Sequence, residues 1–188
     1  LLSLSRVEQE SDGRTLETKP VQVLEIFRAA RQICRAKAEE KKIRLEFACS
    51  PDLIAELDPT LLEQAVVNLL DNAIKYSEAE KTVRVEADRI DGELVISVQD
   101  HGIGIAQKHL PRLFERFYRV DKARSRNMGG TGLGLAIVKH IAKAHGGEVS
   151  VASRLGHGST FRIAIPSRPA SLPDQPPRES DASPRPAG

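Results

Sequence analysis

The chain predicts one α/β domain, on three observations. Apolar residues recur at helical spacing in three long stretches, 23–42, 58–76 and 135–145, while period-two alternation and a hairpin turn pair mark strands between them. With 188 residues, 40% of them hydrophobic, the chain is long enough for a single sizeable core plus appendages.

The balance of charge narrows the class of partner. Lys and Arg (28) nearly offset Asp and Glu (26), so a net charge of +2 gives no electrostatic footprint for nucleic acid, and with no Trp and 4% aromatics there is no base-stacking surface. No DNA binding is expected. Cys34 and Cys49 stand in no CxxC or Cys/His cluster, which fits free buried thiols in a reducing compartment. No apolar run approaches the length of a membrane span, and no signal peptide is expected.

Taken in order, residues 1–11 read as the last turns of a helix that begins upstream, so the chain is expected to be a fragment. Asp12-Gly13 breaks that helix, and residues 16–21 are extended around Pro20, as an edge strand is. The helix over 23–42 aligns Leu24, Phe27, Ala30, Cys34 and Ala38 on one face. A strand over 43–47 closes at Ser50-Pro51-Asp52, and a shorter one over 54–57 leads to Asp58-Pro59, an N-cap carboxylate followed by proline at the first helical position.

That second helix runs to about Tyr76. Leu62, Ala65, Val66, Leu69 and Ala73 make its core face, and Gln64, Asn68, Asn72 and Lys75 a second, polar stripe. A solvated face is the ordinary reading of such a stripe, but Asn68 sits within Val66-Val67-Asn68-Leu69-Leu70, where a poor helix former with an amide to satisfy needs a reason. Strands over 82–87 and 93–99 follow, joined through Asp91-Gly92, the turn pair most typical of hairpins. The second ends in Asp100-His101-Gly102-Ile103-Gly104, which is either an Asp-initiated turn or a carboxylate kept clear of neighbouring side chains.

In residues 110–119 Phe114, Phe117 and Tyr118 are expected to pack, leaving Arg116 and Arg119 available to an anion. Residues 120–128 are polar and basic and read as a mobile loop over a site. Gly129-Gly130-Thr131-Gly132-Leu133-Gly134-Leu135 then feeds a helix over 135–145, capped by Gly146-Gly147. A flexible turn at a helix N-terminus favours an anion such as phosphate. It is not a P-loop, because Leu135-Ala136 stands where Lys-Ser/Thr is required, and no hydrophobic strand precedes it. A last hairpin, 148–153 and 159–165, turns about Gly156-His157-Gly158 and ends at Pro166. The 22 residues from Ser167 hold six of the 11 prolines and read as a disordered tail.

Four blocks now stand in order: Asn68-x3-Asn72-x2-Lys75-Tyr76, Asp100-x-Gly102-x-Gly104, Phe114-x2-Phe117-Tyr118 and Gly130-x-Gly132-x-Gly134. Together they resemble the N, G1, F and G2 boxes of the ATP-binding catalytic domain of sensor histidine kinases, within the gyrase, heat-shock-protein-90, histidine-kinase and mismatch-repair ATPase superfamily. The string over 114–140 is similar to the phosphate-regulon sensor kinases and their relatives. The resemblance implies an α/β sandwich: a mixed, mostly antiparallel sheet with three helices on one face and a nucleotide pocket under a short lid, here residues 120–128. It divides the chain into the end of a dimerisation helix (1–12), the catalytic domain (13–166) and the tail (167–188).

By the same resemblance, the cofactors are ATP and Mg²⁺. Asp100 would accept the adenine amine, with Gly102 and Gly104 letting the base approach the backbone. Asn68 and Asn72 would meet Mg²⁺ and phosphate oxygens, as suits a hard cation that keeps several waters. Lys75 and Tyr76 would flank phosphates and ribose, Arg119 would reach the γ-phosphate, and Tyr118, Thr131 and Leu133 would border the nucleotide. Gly130, Gly132 and Gly134 would offer backbone N–H groups to the phosphates. The phospho-accepting histidine would lie on the dimerisation domain, since no histidine precedes His101 here. A response regulator would be met through the full kinase, while this fragment is expected to be monomeric and to be the cytoplasmic part of a membrane-anchored sensor. The five histidines have no metal-ligand spacing and read as surface or cap residues, with His101 bordering the pocket.

Three other functions compete. A conformational ATPase of the gyrase or heat-shock-protein-90 kind would need a glutamate base in the second helix, yet Glu63 lies five residues before Asn68, about 140° around the helix. A serine kinase acting on an anti-anti-sigma partner would not carry a dimerisation helix before the domain. A binding module that has lost catalysis would not be expected to keep every matched residue.

Overall fold

A computed structural model of the chain describes residues 16–121 and 131–167. The dimerisation-helix remnant, most of the loop over 120–128 with Gly130, and nearly all of the tail lie outside the described residues. Strand β1 (Lys19–Gln22) opens the fold and pairs antiparallel with β3 (Ile54–Leu57) in a two-stranded sheet. The main sheet has five strands in the order β2-β4-β5-β7-β6, comprising β2 (Arg44–Cys49), β4 (Thr82–Ile90), β5 (Glu93–Asp100), β7 (Ser159–Pro166) and β6 (Glu148–Ser153). Only the β2–β4 pair is parallel, so the sheet is mixed and mostly antiparallel.

Alternation along the strands decides which face is covered. Val83, Val85 and Ala87, Leu94, Ile96 and Val98, and Phe161, Ile163 and Ile165 are buried on one side, whereas Arg84, Gln99 and Arg162 are exposed on the other. Three helices cover the apolar face: α1 (Val23–Glu40), α2 (Pro59–Tyr76) and α3 (Gly134–Ala144). Phe27, Ala30, Cys34 and Ala38 of α1 meet Leu62, Val66, Leu69, Leu70 and Ala73 of α2, and Ile141 and Ala142 of α3 complete one continuous core. The result is the α/β sandwich expected from the sequence. No helix among the described residues is long and apolar enough to cross a membrane.

Local chemistry sets the helix ends. Asp58 caps α2, its Oδ1 accepting from Thr60 N (3.0 Å) and Leu61 N (3.1 Å), with Pro59 at the first helical position. Gly146, at φ +73°, ends α3 while Gly147 N donates to Ala142 O at 2.8 Å, a left-handed C-terminal cap. The hairpin between β4 and β5 turns on Asp91 and Gly92 alone, both at positive φ, which makes its strands longer than the alternation suggested. Past Pro166, Ser167 is still buried and its N–H donates to Gly92 O at 3.1 Å, so the fold runs one residue beyond the expected end.

His145 joins two helices. Its Nε2 accepts from Asp58 N (3.0 Å) and its Nδ1 lies 2.9 Å from Ile141 O, which fastens the start of α2 to the end of α3. Cys34 is buried, its thiol pushed up to about 12 by burial and then by Asp71, while Cys49 is only half-buried, short of the expectation for it. Losing the Asp58 cap in Asp58→Ala is expected to lower stability by about 0.5–2 kcal/mol, and Leu70→Ala in the core by about 2–5 kcal/mol, read as shifts in urea midpoint at unchanged slope.

Candidate functional site

Asp100 is the last residue of β5 and only 5% exposed. Its Oδ1 accepts from Gly102 N (2.8 Å) and Ser159 N (3.2 Å), so the carboxylate both starts a turn and stitches that turn to β7. The Asp100↔Ser159 pairing at the end of the β5–β7 ladder places the second donor. Among the described residues Oδ2 has no hydrogen-bond partner. Burial pushes the Asp100 carboxyl above its ordinary value, against the pull of the two N–H donors and of nearby His101.

The turn after Asp100 threads between two other pieces of backbone, and glycine is what lets it pass. A Cβ on Gly102 would stand 2.3 Å from Tyr76 O, and one on Gly104, at φ +64°, would stand 2.0 Å from Arg154 O. Backbone crowding is therefore reason enough for both glycines, whatever approaches from outside. Gly102 pairs with Ser77 in an isolated antiparallel bridge, which fixes the loop to the residue just past α2.

Helix α2 brings the other polar groups to this junction. Asn68, Asn72, Lys75 and Tyr76 are all half-buried, and neither asparagine amide has a hydrogen bond among the described residues. Lys75 Nζ lies 5.5 Å from the Tyr76 ring centroid. Burial, and then the neighbouring positive charge of Arg119, hold the Lys75 ammonium below its ordinary value, with Asp71 pulling the other way. Two cations thus converge from different segments. The last turn of α2, which carries Lys75, is held by Lys41, whose Nζ donates to Ile74 O (2.9 Å) and Lys75 O (2.7 Å).

The glycine stretch sits against the same helix. Gly134 begins α3 close enough to Asn68 that a Cβ there would be 3.3 Å from Asn68 Oδ1. Leu133 supplies no side-chain cap, so the first N–H groups of α3 keep their donors. Gly132, at φ +78°, accepts from Phe117 N at 3.0 Å, and a Cβ on it would meet Phe117 Cα at 2.9 Å. Thr131 is exposed and its Oγ1 accepts from Leu133 N at 3.4 Å.

The aromatic block departs from expectation at one residue. After a 3₁₀ helix (Gln107–Arg112), Phe114 packs edge-on to Phe161, but Phe117 is 68% exposed at φ +60°. Its backbone, rather than its ring, is committed to the glycine turn. Tyr118 is half-buried, with its hydroxyl 2.7 Å from His109 Nδ1 and the Arg112 guanidinium 4.4 Å from its ring centre. His101 is exposed and its Nδ1 lies 3.0 Å from Thr82 O.

Four supporting residues were not singled out from the sequence: Lys41, Ser77, Ser153 and Ser159. Ser153 Oγ accepts from Ile105 N (2.8 Å) and donates to Gly158 O (2.9 Å), bracing the loop that follows Asp100. The serines flanking Gly156-His157-Gly158 are a visible signal, but the partners that tie them to the Asp100 loop, Ile105 for Ser153 and Asp100 for Ser159, lie 48 and 59 residues away, at a distance only strand register reveals.

Residues 57–169 match the family model for histidine kinase-, DNA gyrase B- and HSP90-like ATPases. Over 163 residues the chain is 42% identical to the sensor histidine kinase YkoH of Bacillus subtilis, covering 87% of this chain and 34% of that protein. It therefore spans about a third of the length of this curated relative. A mycobacterial sensor histidine kinase, MprB, superposes with a TM-score of 0.69 at 33% identity, over 81% of this chain and 99% of the solved one. Full-length ShkA, solved in complex with AMPPNP, gives a TM-score of 0.74 at 34% identity over 84% of this chain and 33% of its own. Matched in sequence over most of its length and in structure over nearly all of a solved relative, the chain belongs to the histidine kinase-, DNA gyrase B- and HSP90-like ATPase family, as the ATP-binding catalytic domain of a sensor histidine kinase.

Proposed function

We propose that this domain binds Mg²⁺-ATP along α2, with the base at Asp100 and the phosphates at Asn68, Asn72 and the start of α3, and that it delivers the γ-phosphoryl to a histidine on an adjacent dimerisation domain. The observation that carries the reading is the Ser77–Gly102 bridge, which ties the buried carboxylate to one end of the polar stripe on α2. From Asn68 to Ser77 is nine residues, about 13 Å of helix, a reach suited to a ligand with a base at one end and phosphates at the other. Lys75 and Arg119 supply positive charge for the phosphates, and uncapped N–H groups of α3 supply donors.

The donor set fits magnesium. Asn68 and Asn72 present hard amide oxygens on one helix face, and the described residues contain no cluster of three or more His, Cys, Asp or Glu that would make a protein cage. Such a site suits a cation held by one or two protein oxygens plus substrate phosphates, where it neutralises charge on the phosphate oxygens. The chain's own residues then position: Asn68 and Asn72 orient the phosphate end, Asp100 anchors the base, and Lys75, Tyr76, Tyr118, Arg119, Thr131, Gly132, Leu133 and Gly134 border the nucleotide. Glu63 lines a groove with Val21, Glu25, Ile26 and Thr60 and so lies off the Asn68 stripe, which speaks against a water-activating glutamate. A response regulator would then receive the phosphoryl group from the intact kinase.

Three outcomes test this. Asp100→Ala is expected to weaken ATP binding by a factor of about 10 to 150, the worth of one charged hydrogen bond at roughly 1.5–3 kcal/mol, and wild-type affinity on calorimetric titration would sink the assignment. For stability, the folded-state value of Asp100 lies above its unfolded one. Its contribution is thus present below about pH 3.8 and lost as pH rises through the raised folded value, so the nucleotide-free domain carries a cost at neutral pH. Asp100→Asn is expected to melt higher than wild type at pH 7, the difference shrinking toward pH 4; a constant difference across that range would contradict it. Finally, with γ-labelled ATP and Mg²⁺ the chain alone should gain no acid-labile phosphate and release phosphate slowly, and addition of the dimerisation domain of its parent kinase should place acid-labile, base-stable label on that domain. Brisk hydrolysis abolished by Glu63→Ala would favour a self-contained ATPase instead.

A further inference from the structure

We infer that the Ser77 hydroxyl is a nucleobase-reading group that donates to N1 of adenine beside the Asp100 carboxylate, and so sets selectivity for adenine over guanine; this deepens the nucleotide-binding reading above and rests on it.

Ser77 is 3% exposed, and its Oγ has no hydrogen-bond partner among the described residues. A buried hydroxyl in that condition is unusual enough to require a reason. A serine after a helix ordinarily bonds back to the last carbonyls of that helix, but here those acceptors are engaged. Ala73 O takes the Ser77 backbone N–H (3.0 Å), and Ile74 O and Lys75 O take the Lys41 ammonium (2.9 and 2.7 Å). Packing alone gives no use for the oxygen.

Its location supplies one. The backbone bridge to Gly102 holds Ser77 against the turn that Asp100 initiates, with Gly102 N bonded to Asp100 Oδ1. Because Oδ1 already accepts two N–H groups, Oδ2 is the acceptor left to a ligand. The backbone bridge thus links a residue whose hydroxyl can donate to the turn that holds a carboxylate oxygen that only accepts. Adenine presents the complementary order, an amine donor at position 6 next to the N1 acceptor. Guanine presents the reverse, an acceptor at position 6 next to an N1–H donor. One bridging water between Ser77 Oγ and N1 counts as the same contact.

The test compares wild type, Ser77→Ala and Ser77→Thr by calorimetric titration with ATP, with 1-deaza-ATP, which keeps the amine and lacks the N1 acceptor, and with GTP. Ser77→Ala should bind ATP about 3- to 10-fold more weakly, the range of one net hydrogen bond, while its affinity for 1-deaza-ATP stays within about twofold of wild type. Ser77→Thr should restore ATP binding, and the preference for ATP over GTP should narrow in Ser77→Ala alone. The nucleotide-free Ser77→Ala domain should melt no lower than wild type, since it loses an unpaired buried hydroxyl; a serine with a structural role would melt lower and weaken both adenine ligands alike, which overturns the inference. Unchanged ATP affinity in Ser77→Ala, with wild type binding normally, overturns the inference and leaves the nucleotide reading standing. Failure of wild type to bind ATP at all overturns both.

Discussion

The double hydrogen bond at Asp100 Oδ1 is the constraint on which the site's geometry depends. One carboxylate oxygen receives Gly102 N from its own turn and Ser159 N from β7, so three elements meet at one atom. Burying a carboxylate is unfavourable, and the two donors compensate only in part, since burial still outweighs them in setting its proton affinity. Everything nearby is arranged around keeping that group in place. Gly102 slips under Tyr76 O, Gly104 under Arg154 O, and a Cβ on Gly158 would stand 2.1 Å from Asp100 O.

Electrostatic tension runs through both ends of the site. At one end a carboxylate is held where its charged form is disfavoured, and at the other Lys75 is held where its ammonium is disfavoured, by burial and by Arg119. Neither condition improves the domain's stability by itself. A ligand with a hydrogen-bond donor at one end and anionic groups at the other would relieve both at once, as the proposed binding mode requires.

Much of this was legible in the sequence, because the informative residues act locally. Asp58-Pro59, Asp91-Gly92 and Gly146-Gly147 each specify a backbone conformation within a few positions, and helical spacing alone aligned Asn68 with Asn72 and Lys75. What escaped were dependences across the chain. Lys41 caps a helix 33 residues later, and Ser159 donates to a carboxylate 59 residues earlier, neither with a local pattern to announce it. Phe117 misled for a related reason: an aromatic between Phe114 and Tyr118 reads as core, but the positive φ demanded by its contact with Gly132 turns its ring outward.

The His145 clasp has a mechanical consequence. It fastens the end of α3 to the start of α2, the ends of the two helices remote from Gly134 and Ser77, and so makes that corner a pivot. Helix α3 is then an arm of 11 residues, about 16 Å long, with its glycine-rich end at the tip. A swing of roughly 5° about the clasp moves that tip by about 1.4 Å, half the length of a hydrogen bond. Small adjustments of packing between α2 and α3 are thereby magnified where the uncapped N–H groups lie.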